Sequence, residues 1–288
     1  MANGILIVDK APDWTSHDVV AKLRGLLKER RIGHGGTLDP IATGVLPVFV
    51  GRATRAVEFA AGADKEYIAT LRLGLVTDTQ DITGKVLEER PVEVTSERLE
   101  TVLSAFRGAL VQVPPMYSAI KQNGKKLYEL ARAGKEVERA PRPVTIHRLL
   151  ILEQKNLVEY RLLVVCSKGT YVRTLCHDIG AALGCGGVMA DLRRTRVGSF
   201  RLEQAITVEQ LSAVEHLETL LLPTDSCFAQ YPALTVEGKD LTRIRNGGAV
   251  LCLAAPGHYR VYDPSGAFLM LGRAEAGQLL TVKSFFEV

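Results

Sequence analysis

Residues 31–44 read RIGHGGTLDPIATG and lie between two apolar runs. Four glycines, one proline, one histidine and a single carboxylate, Asp39, fall within these fourteen residues. Any fold must therefore place a tight, conformationally permissive loop here. Gly33, Gly35 and Gly36 are expected to allow positive φ and close approach of backbone to a ligand. Pro40 biases Asp39 away from helical φ/ψ, so the carboxylate should project from an extended turn, as a charged group presented in a cleft would. Taken alone, the segment also describes an ordinary connecting loop with a solvated aspartate.

The flanking chain supplies strands and helices without strict βαβ alternation. Gly4–Lys10 reads as a short apolar strand. Thr15-Ser16-His17-Asp18 opens a helix with Ser16 as the expected N-cap, Asp18 in the first turn, and Val19, Val20, Leu23, Leu26 and Leu27 on one face. Val45–Gly51 reads as a buried strand, Arg52–Ala61 as a helix and Lys65–Val76 as a strand with Tyr67 near its start. Thr77–Gly84 is a polar turn before a return strand, and Thr95-Ser96-Glu97 begins another helix. Val113–Ala133 is irregular and rich in proline at first, with a short basic helix over Lys125–Arg132. Val144–Glu153 and Leu157–Cys166 form a hairpin pattern, and Thr170–Leu183 fits a helix burying Val172, Leu175, Cys176, Ile179 and Leu183. From about Pro232 the texture changes to small strands with Gly and Asp-Pro turns, a β-rich module near the lower size limit for independent stability. This mixture predicts an α+β main domain over residues 1–230 and a separate module over 231–288.

Composition narrows the chemistry. Apolar content of 47% and charged content of 24% suit a globular chain. Net charge of +4 with a pI near 8.8 permits a polyanionic partner without requiring one. The five cysteines include no CxxC pair, so neither a zinc ribbon nor a disulfide framework is expected, and buried free thiols in a cytoplasmic protein are. No signal-peptide pattern and no run of about 18 apolar residues is present. The loop lacks the GK[ST] ending of a P-loop and does not open a helix as a dinucleotide fingerprint does. The motifs of zinc nucleobase deaminases and of serine hydrolases are missing as well. Basic clusters near the loop, at Lys121–Lys126, Arg139–Arg148 and Arg193–Arg196, are interleaved with Tyr117, Tyr128 and Tyr171. Phosphates favour Lys and Arg and unstacked bases favour rings, so this spacing points to a nucleic-acid groove.

Five stretches then resemble, in order, the signature motifs of bacterial tRNA pseudouridine-55 synthases of the TruB type: VDKAPDWTSHDVV, RIGHGGTLDPIATGVLPV, KEYIATLRLGLVTDTQD, PPMYSAIKQNGKKLYELARAG and CSKGTYVRTLCHDIG. One departure stands out. Where the family often has K-P-x-G-W-T-S, this chain has Lys10-Ala11-Pro12-Asp13-Trp14-Thr15-Ser16, with Asp13 in the glycine position.

The resemblance implies a pseudouridine synthase catalytic domain on a mixed, largely antiparallel sheet, followed by a small β-barrel-like PUA-type RNA-binding module. It implies isomerisation of uridine 55 in the tRNA T-loop, with the T-arm as partner, no cofactor, no metal, no membrane and a monomeric enzyme. Asp39 matches the catalytic aspartate, Arg173 the arginine that pairs with it, and Tyr67 the residue stacked on the target uracil. Tyr171 and Leu192 match residues lining the uridine pocket, His34 one that wedges into the T-loop, and Lys10 a residue of the substrate-binding set. Residues 113–140 match the insertion that grips the T-arm, and Asp81 an acidic position beside the cleft to which no role is attached. Whether the aspartate attacks the sugar or takes a proton from C2′ stays open. The alternative is a T-arm-binding tRNA folding chaperone with little turnover.

Overall fold

Three strands near the N-terminus, Gly4–Lys10 (β1), Ile32–His34 (β2) and Thr43–Val50 (β3), bracket the glycine-rich loop. In this computed structural model, which describes residues 2–122 and 124–286, β1 pairs antiparallel with β3 from Gly4 opposite Val50 to Lys10 opposite Gly44. Residue 123 of the insertion and positions 287 and 288 of the C-terminal module lie outside the described residues. The loop begins as a strand: β2 pairs with β3, Ile32 opposite Val50 and His34 opposite Val48.

Ser16–Leu27 (α1) follows β1. Its N-cap is Thr15 and not the expected Ser16: the Thr15 hydroxyl accepts from Asp18 N–H, and the Asp18 carboxylate accepts from Thr15 N–H at 2.8 Å, a reciprocal capping box. Val19, Val20 and Leu23 are buried against β1 and β3 residues such as Leu6, Val8 and Val48. A 3-10 turn, Gly51–Ala56, leads into Val57–Gly62 (α2).

The chain forms two compact units. The second comprises Ile41–Thr43 and Ala63–Arg196. Its elements are Lys65–Leu73 (β4), Leu75–Thr77 (β5), Val86–Glu89 (β6), Ser96–Ala105 (α3), Gly108–Gln112 (β7), Lys121–Gln122 (β8), Lys125–Lys126 (β9), Leu127–Arg132 (α4), Arg142–Gln154 (β10), Glu159–Cys166 (β11), Val172–Leu183 (α5) and Gly187–Val197 (β12). Five of the strands lie in the order β12-β4-β11-β10-β7. The expected single strand over Lys65–Val76 is broken at Gly74, whose φ is +91° and where a Cβ would come within 2.9 Å of Val92. Lys125 and Lys126 belong to a two-stranded ribbon with Lys121 and Gln122, so the basic helix starts later than its composition indicates.

The first unit contains the residues up to Pro40, Gly44–Gly62 and everything from Val197 onward. After Phe200–Arg201 (β13), Ile206–Thr207 (β14) runs parallel to β1, and Val208–Ala213 (α6) follows, capped by Thr207. Ala233–Thr235 (β15), Gly238–Arg245 (α7), Val250–Leu251 (β16), Gly257–Tyr262 (β17), Phe268–Glu275 (β18) and Gln278–Ser284 (β19) complete the chain. The last five strands form a sheet of order β15-β17-β18-β19-β16, the PUA-like module that the sequence led us to expect. It has a core of its own around Val261, Met270 and Leu279. It also shares a second core with the N-terminal strands, in which Ile5, Ile7 and Phe49 meet Phe228, Leu271 and Phe285. The Phe228 ring lies 5.0 Å edge-on from Phe59 and 5.7 Å from Phe285.

Candidate active site

The stretch around Asp39 is pinned on both sides within the first unit. Upstream, Ser16 Oγ accepts from Leu38 N–H at 2.8 Å and donates to the Leu38 carbonyl at 3.2 Å, which is why Ser16 is buried and unavailable as a cap. Downstream, the Pro40 carbonyl accepts from Asp13 N–H at 3.0 Å and from Lys10 Nζ at 3.2 Å. Lys10 is fully buried, and its ammonium also donates to the carbonyls of Ala11 (2.9 Å) and Trp14 (2.6 Å). A buried ammonium is tolerable only with such acceptors, and here it knots the 10–14 turn to the loop. Asp39 itself is half-buried.

Asp13 adopts φ +64°, a left-handed conformation that aspartate tolerates better than most non-glycine residues. That explains the exchange at the family's glycine position: the turn needs positive φ, and Asp13 supplies it. The three loop glycines divide the work differently from expectation. Only Gly36 has positive φ (+123°). Gly35 is there for packing, since a Cβ would sit 2.7 Å from Ala60 and 3.0 Å from Phe49, and Gly33 lies in β2 beside His34, which is half-buried.

The second unit carries the other predicted residues. Tyr67 on β4 is 8% exposed and pairs across to Val164, while Leu192 is buried on the neighbouring β12. Tyr171, expected inside a helix over Thr170–Leu183, is instead the N-cap residue of α5, which begins at Val172. Arg173, in the helix's first turn, is 4% exposed. Its Nη1 donates to the Thr79 carbonyl at 3.0 Å and its Nη2 to the Tyr117 carbonyl at 2.8 Å. The resemblance names Asp39 as the carboxylate partner of Arg173; the ion pair seen within the second unit is with Asp81, whose Oδ2 lies 3.6 Å from Nη1.

Asp81 is buried and organises the 77–84 turn. One carboxylate oxygen accepts from Thr79 Oγ1 (2.9 Å), Thr83 Oγ1 (2.6 Å) and Thr83 N–H (3.0 Å). Gly84 closes that turn, where a Cβ would meet Thr79 Oγ1 at 2.2 Å. Thr174 holds Gln80 from above through Oγ1 to Oε1 at 2.8 Å. Beside these segments a cavity of about 420 Å³ opens between the turn, α5 and the insertion, with Met116, Tyr117, Arg139 and His177 in its wall.

Two residues before Tyr67, on the same face of β4, Lys65 is buried with Nζ 2.5 Å from the Ala63 carbonyl. Burial, with Arg194 as a like-charged neighbour, pushes its pKa down to about 8. The basic run 193–196 is not a solvated strip: Arg194 is 1% exposed, Arg196 lies 3.9 Å from Glu66, and Arg193 reaches Thr43 Oγ1 at 3.3 Å. Burial raises the thiols of Cys166 to about 11 and of Cys176 to about 12. All five cysteines are free, and Cys252 is half-buried where the others are buried. Among the described residues no group of His, Cys, Asp and Glu is arranged to hold a metal ion, and no helix is long and apolar enough to cross a membrane.

Comparison with known proteins accounts for this arrangement. Residues 24–172 match the model of the TruB family pseudouridylate synthase N-terminal domain, and 173–229 that of the tRNA pseudouridylate synthase B C-terminal domain. The chain belongs to the TruB family of pseudouridylate synthases. It is 45% identical over 286 residues to the tRNA pseudouridine synthase B of Stutzerimonas stutzeri (strain A1501), covering 96% of this chain and 93% of that one. The corresponding protein of Alkaliphilus oremlandii (strain OhILAs) is 47% identical over 251 residues, covering 86% and 83%. Among solved structures, a crystal structure of a Cbf5-Nop10-Gar1 complex superposes with a TM-score of 0.75 at 27% identity, over 99% of this chain and 85% of that one.

Within this TruB-family chain, the sequence attaches no role to Asp81 and does not single out Gln112, yet the first pairs with Arg173 and the second holds the Tyr171 backbone. Asp81 sits in an unremarkable polar turn, and only its neighbours Thr79 and Thr83 hint that it caps one. Gln112 ends β7 before the proline-rich stretch, and its side chain reaches the backbone of Tyr171. A lone glutamine carries no signal that sequence alone could raise.

Proposed function

We propose that this chain converts uridine 55 in the T-loop of tRNA to pseudouridine. The observation that supports this best is the collinear family match across 24–229, with Asp39, Tyr67 and Arg173 at the motif positions. In the reaction the C1′–N1 bond breaks, the detached uracil turns, and C1′ bonds to C5. The C5 proton is then lost and N1 gains one, so the change is redox-neutral and needs no cofactor or metal. Positive charge develops around C1′ as the glycosidic bond opens, and a preorganised carboxylate can stabilise or trap it. Asp39 is that carboxylate, acting on C1′ or on the C2′ proton.

Arg173 pairs with Asp39 in this reading and keeps it ionised and oriented. Its link to Asp81 and to two carbonyls holds the guanidinium still for that task. Tyr67 stacks on the uracil while it turns, and Tyr171 and Leu192 line the pocket. His34 takes the space the flipped nucleotide leaves, offsetting the few kcal/mol that extrusion costs. Lys10 serves the site by holding the Pro40 carbonyl beside Asp39. Residues 1–230 form the catalytic domain, with 113–140 gripping the T-arm, and 231–288 add an RNA-binding surface. The enzyme works as a monomer in the cytoplasm.

The test is incubation of wild type and Asp39→Asn with an unmodified tRNA transcript, followed by carbodiimide mapping. Wild type should yield pseudouridine at position 55. Asp39→Asn should bind the transcript and leave it unmodified. Conversion by Asp39→Asn, or none by wild type, refutes the proposal.

A further inference from the structure

Gln112 is the last residue of β7 and only 3% exposed, too buried to touch a bound RNA. Its side-chain amide meets the backbone of Tyr171 twice. The Oε1 atom accepts from Tyr171 N–H at 3.0 Å, and Nε2 donates to the Tyr171 carbonyl at 3.3 Å. At the end of the sheet order, where β7 pairs with β10, and just before Pro114 and Pro115, the amide thus stands in for the peptide of a neighbouring strand.

What it holds matters. Tyr171 is the N-cap residue of α5, at φ −98° and ψ 107°, and its own side chain makes no capping bond. Its carbonyl accepts the first helical bond, from Leu175 N–H at 3.0 Å. Two residues on, Arg173 reaches back to the Tyr117 carbonyl, five residues past Gln112. The root of the insertion and the start of α5 are therefore tied twice, once at Gln112–Tyr171 and once at Tyr117–Arg173.

We infer that Gln112 is a positioning residue: by clamping the Tyr171 backbone it sets the direction of the Tyr171 ring and of the Arg173 guanidinium for turnover. This rests on the proposed roles of Tyr171 and Arg173. The amide is needed because it offers one donor and one acceptor side by side. An ionised glutamate offers acceptors alone and turns one toward the Tyr171 carbonyl. Methionine has nearly the same length and offers neither.

The test uses Gln112→Met and Gln112→Glu in the full chain, with single-turnover rates at saturating unmodified tRNA transcript and tRNA Kd measured separately. Gln112→Met should lose roughly tenfold to a hundredfold in rate, as a small misplacement does, with Kd within about threefold of wild type. Gln112→Glu should be slow at about pH 8 and regain rate relative to wild type toward about pH 5.5, because the protonated carboxyl recovers an O–H donor for the Tyr171 carbonyl. Because an ionised buried carboxyl would also unsettle the fold, circular dichroism at both pH values accompanies the rates, and a fully folded Gln112→Glu that is slow at about pH 8 excludes a role in folding alone. Should Gln112→Met fail to fold, Gln112→Glu decides alone.

The inference is overturned if turnover by these variants stays within about twofold of wild type, if the loss lies wholly in Kd, or if the Gln112→Glu deficit is flat with pH. Asp39→Asn in the same assay separates the two levels. If it stays active, the reading of the site itself fails. If it is inactive while Gln112→Glu matches wild type at every pH, only the role of Gln112 falls.

Discussion

Replacing Asp81 by asparagine removes one charge and little else. Asp81 is 5% exposed, and its Oδ1 accepts from Thr79 Oγ1, Thr83 Oγ1 and Thr83 N–H at 2.9, 2.6 and 3.0 Å. An asparagine oxygen keeps those three bonds. Its amide then faces Arg173 Nη1, 3.6 Å from the present Oδ2, donor against donor. Breaking a buried ion pair by removing one partner costs about 3–5 kcal/mol. Here the separation exceeds the about 2.7–2.9 Å of a direct charge-assisted bond, and Arg173 keeps the Thr79 and Tyr117 carbonyls, so about 2 kcal/mol is the better figure. At roughly 2–4 °C per kcal/mol for a chain of this size, Tm should fall by about 4–8 °C. Asp81→Ala should fall further, because the bonds to Thr79 and Thr83 go as well. Differential scanning calorimetry of both variants is the assay. A Tm for Asp81→Asn equal to wild type would show that the charge on Asp81 does nothing for Arg173, and equal losses in the two variants would show that the bonds to Thr79 and Thr83 add nothing.

Phe228→Ala removes a 1% exposed ring packed on Phe59, Phe268 and Phe285, and should cost about 3–5 kcal/mol in denaturant unfolding; a loss under about 1 kcal/mol would contradict the shared core. Lys65 has a folded-state pKa of about 8 against an ordinary 10.5, so between those values the unfolded chain binds a proton the folded one lacks. Stability should therefore rise across that window, by roughly 3 kcal/mol in all, relative to a Lys65→Met variant in which this dependence is gone; parallel pH profiles of the two would refute it. Tyr67→Ala should reduce the single-turnover rate much more than it weakens tRNA binding, and equal losses in both would remove Tyr67 from the uracil.

Much of this was legible in the chain. The α+β character, the break between helices and strands and the small terminal sheet follow from hydrophobic period and turn residues, which act locally. Asp39, Tyr67 and Arg173 stand out because their motifs are dense and collinear. The errors came where neighbouring residues compete for one task. Thr15 and Ser16 are both good N-caps, and only the tertiary demand of Leu38 for the Ser16 hydroxyl decides between them. Gly35 and Gly36 look alike in sequence, yet one answers to the Ala60 and Phe49 side chains and the other to its own φ. By sequence the arginines at 193–196 belong with the other basic clusters of a nucleic-acid groove, and the burial of Arg194 is not foreseeable there because burial of a charge depends on partners distant in sequence, as Glu66 is for Arg196. Asp81 could be placed beside the cleft but given no role, and Gln112 carried no signal, for the same reason: their contacts lie with Arg173 and Tyr171.

The opening strand and the closing sheet have a bearing on how the molecule is made. Ile5 exchanges two 2.8 Å backbone bonds with Leu222 and shares its apolar neighbours with Leu271 and Phe285. A ribosome releases Leu222, Leu271 and Phe285 long after Ile5, so the first strand, although β3 can pair with it early, must wait for them to complete its apolar lining. Such distant pairings slow folding and leave greasy surface uncovered meanwhile. Cutting away the last sixty residues would consequently strip a lining from the first strand, and an inactive truncation would report a collapsed half-core before it reported anything about RNA.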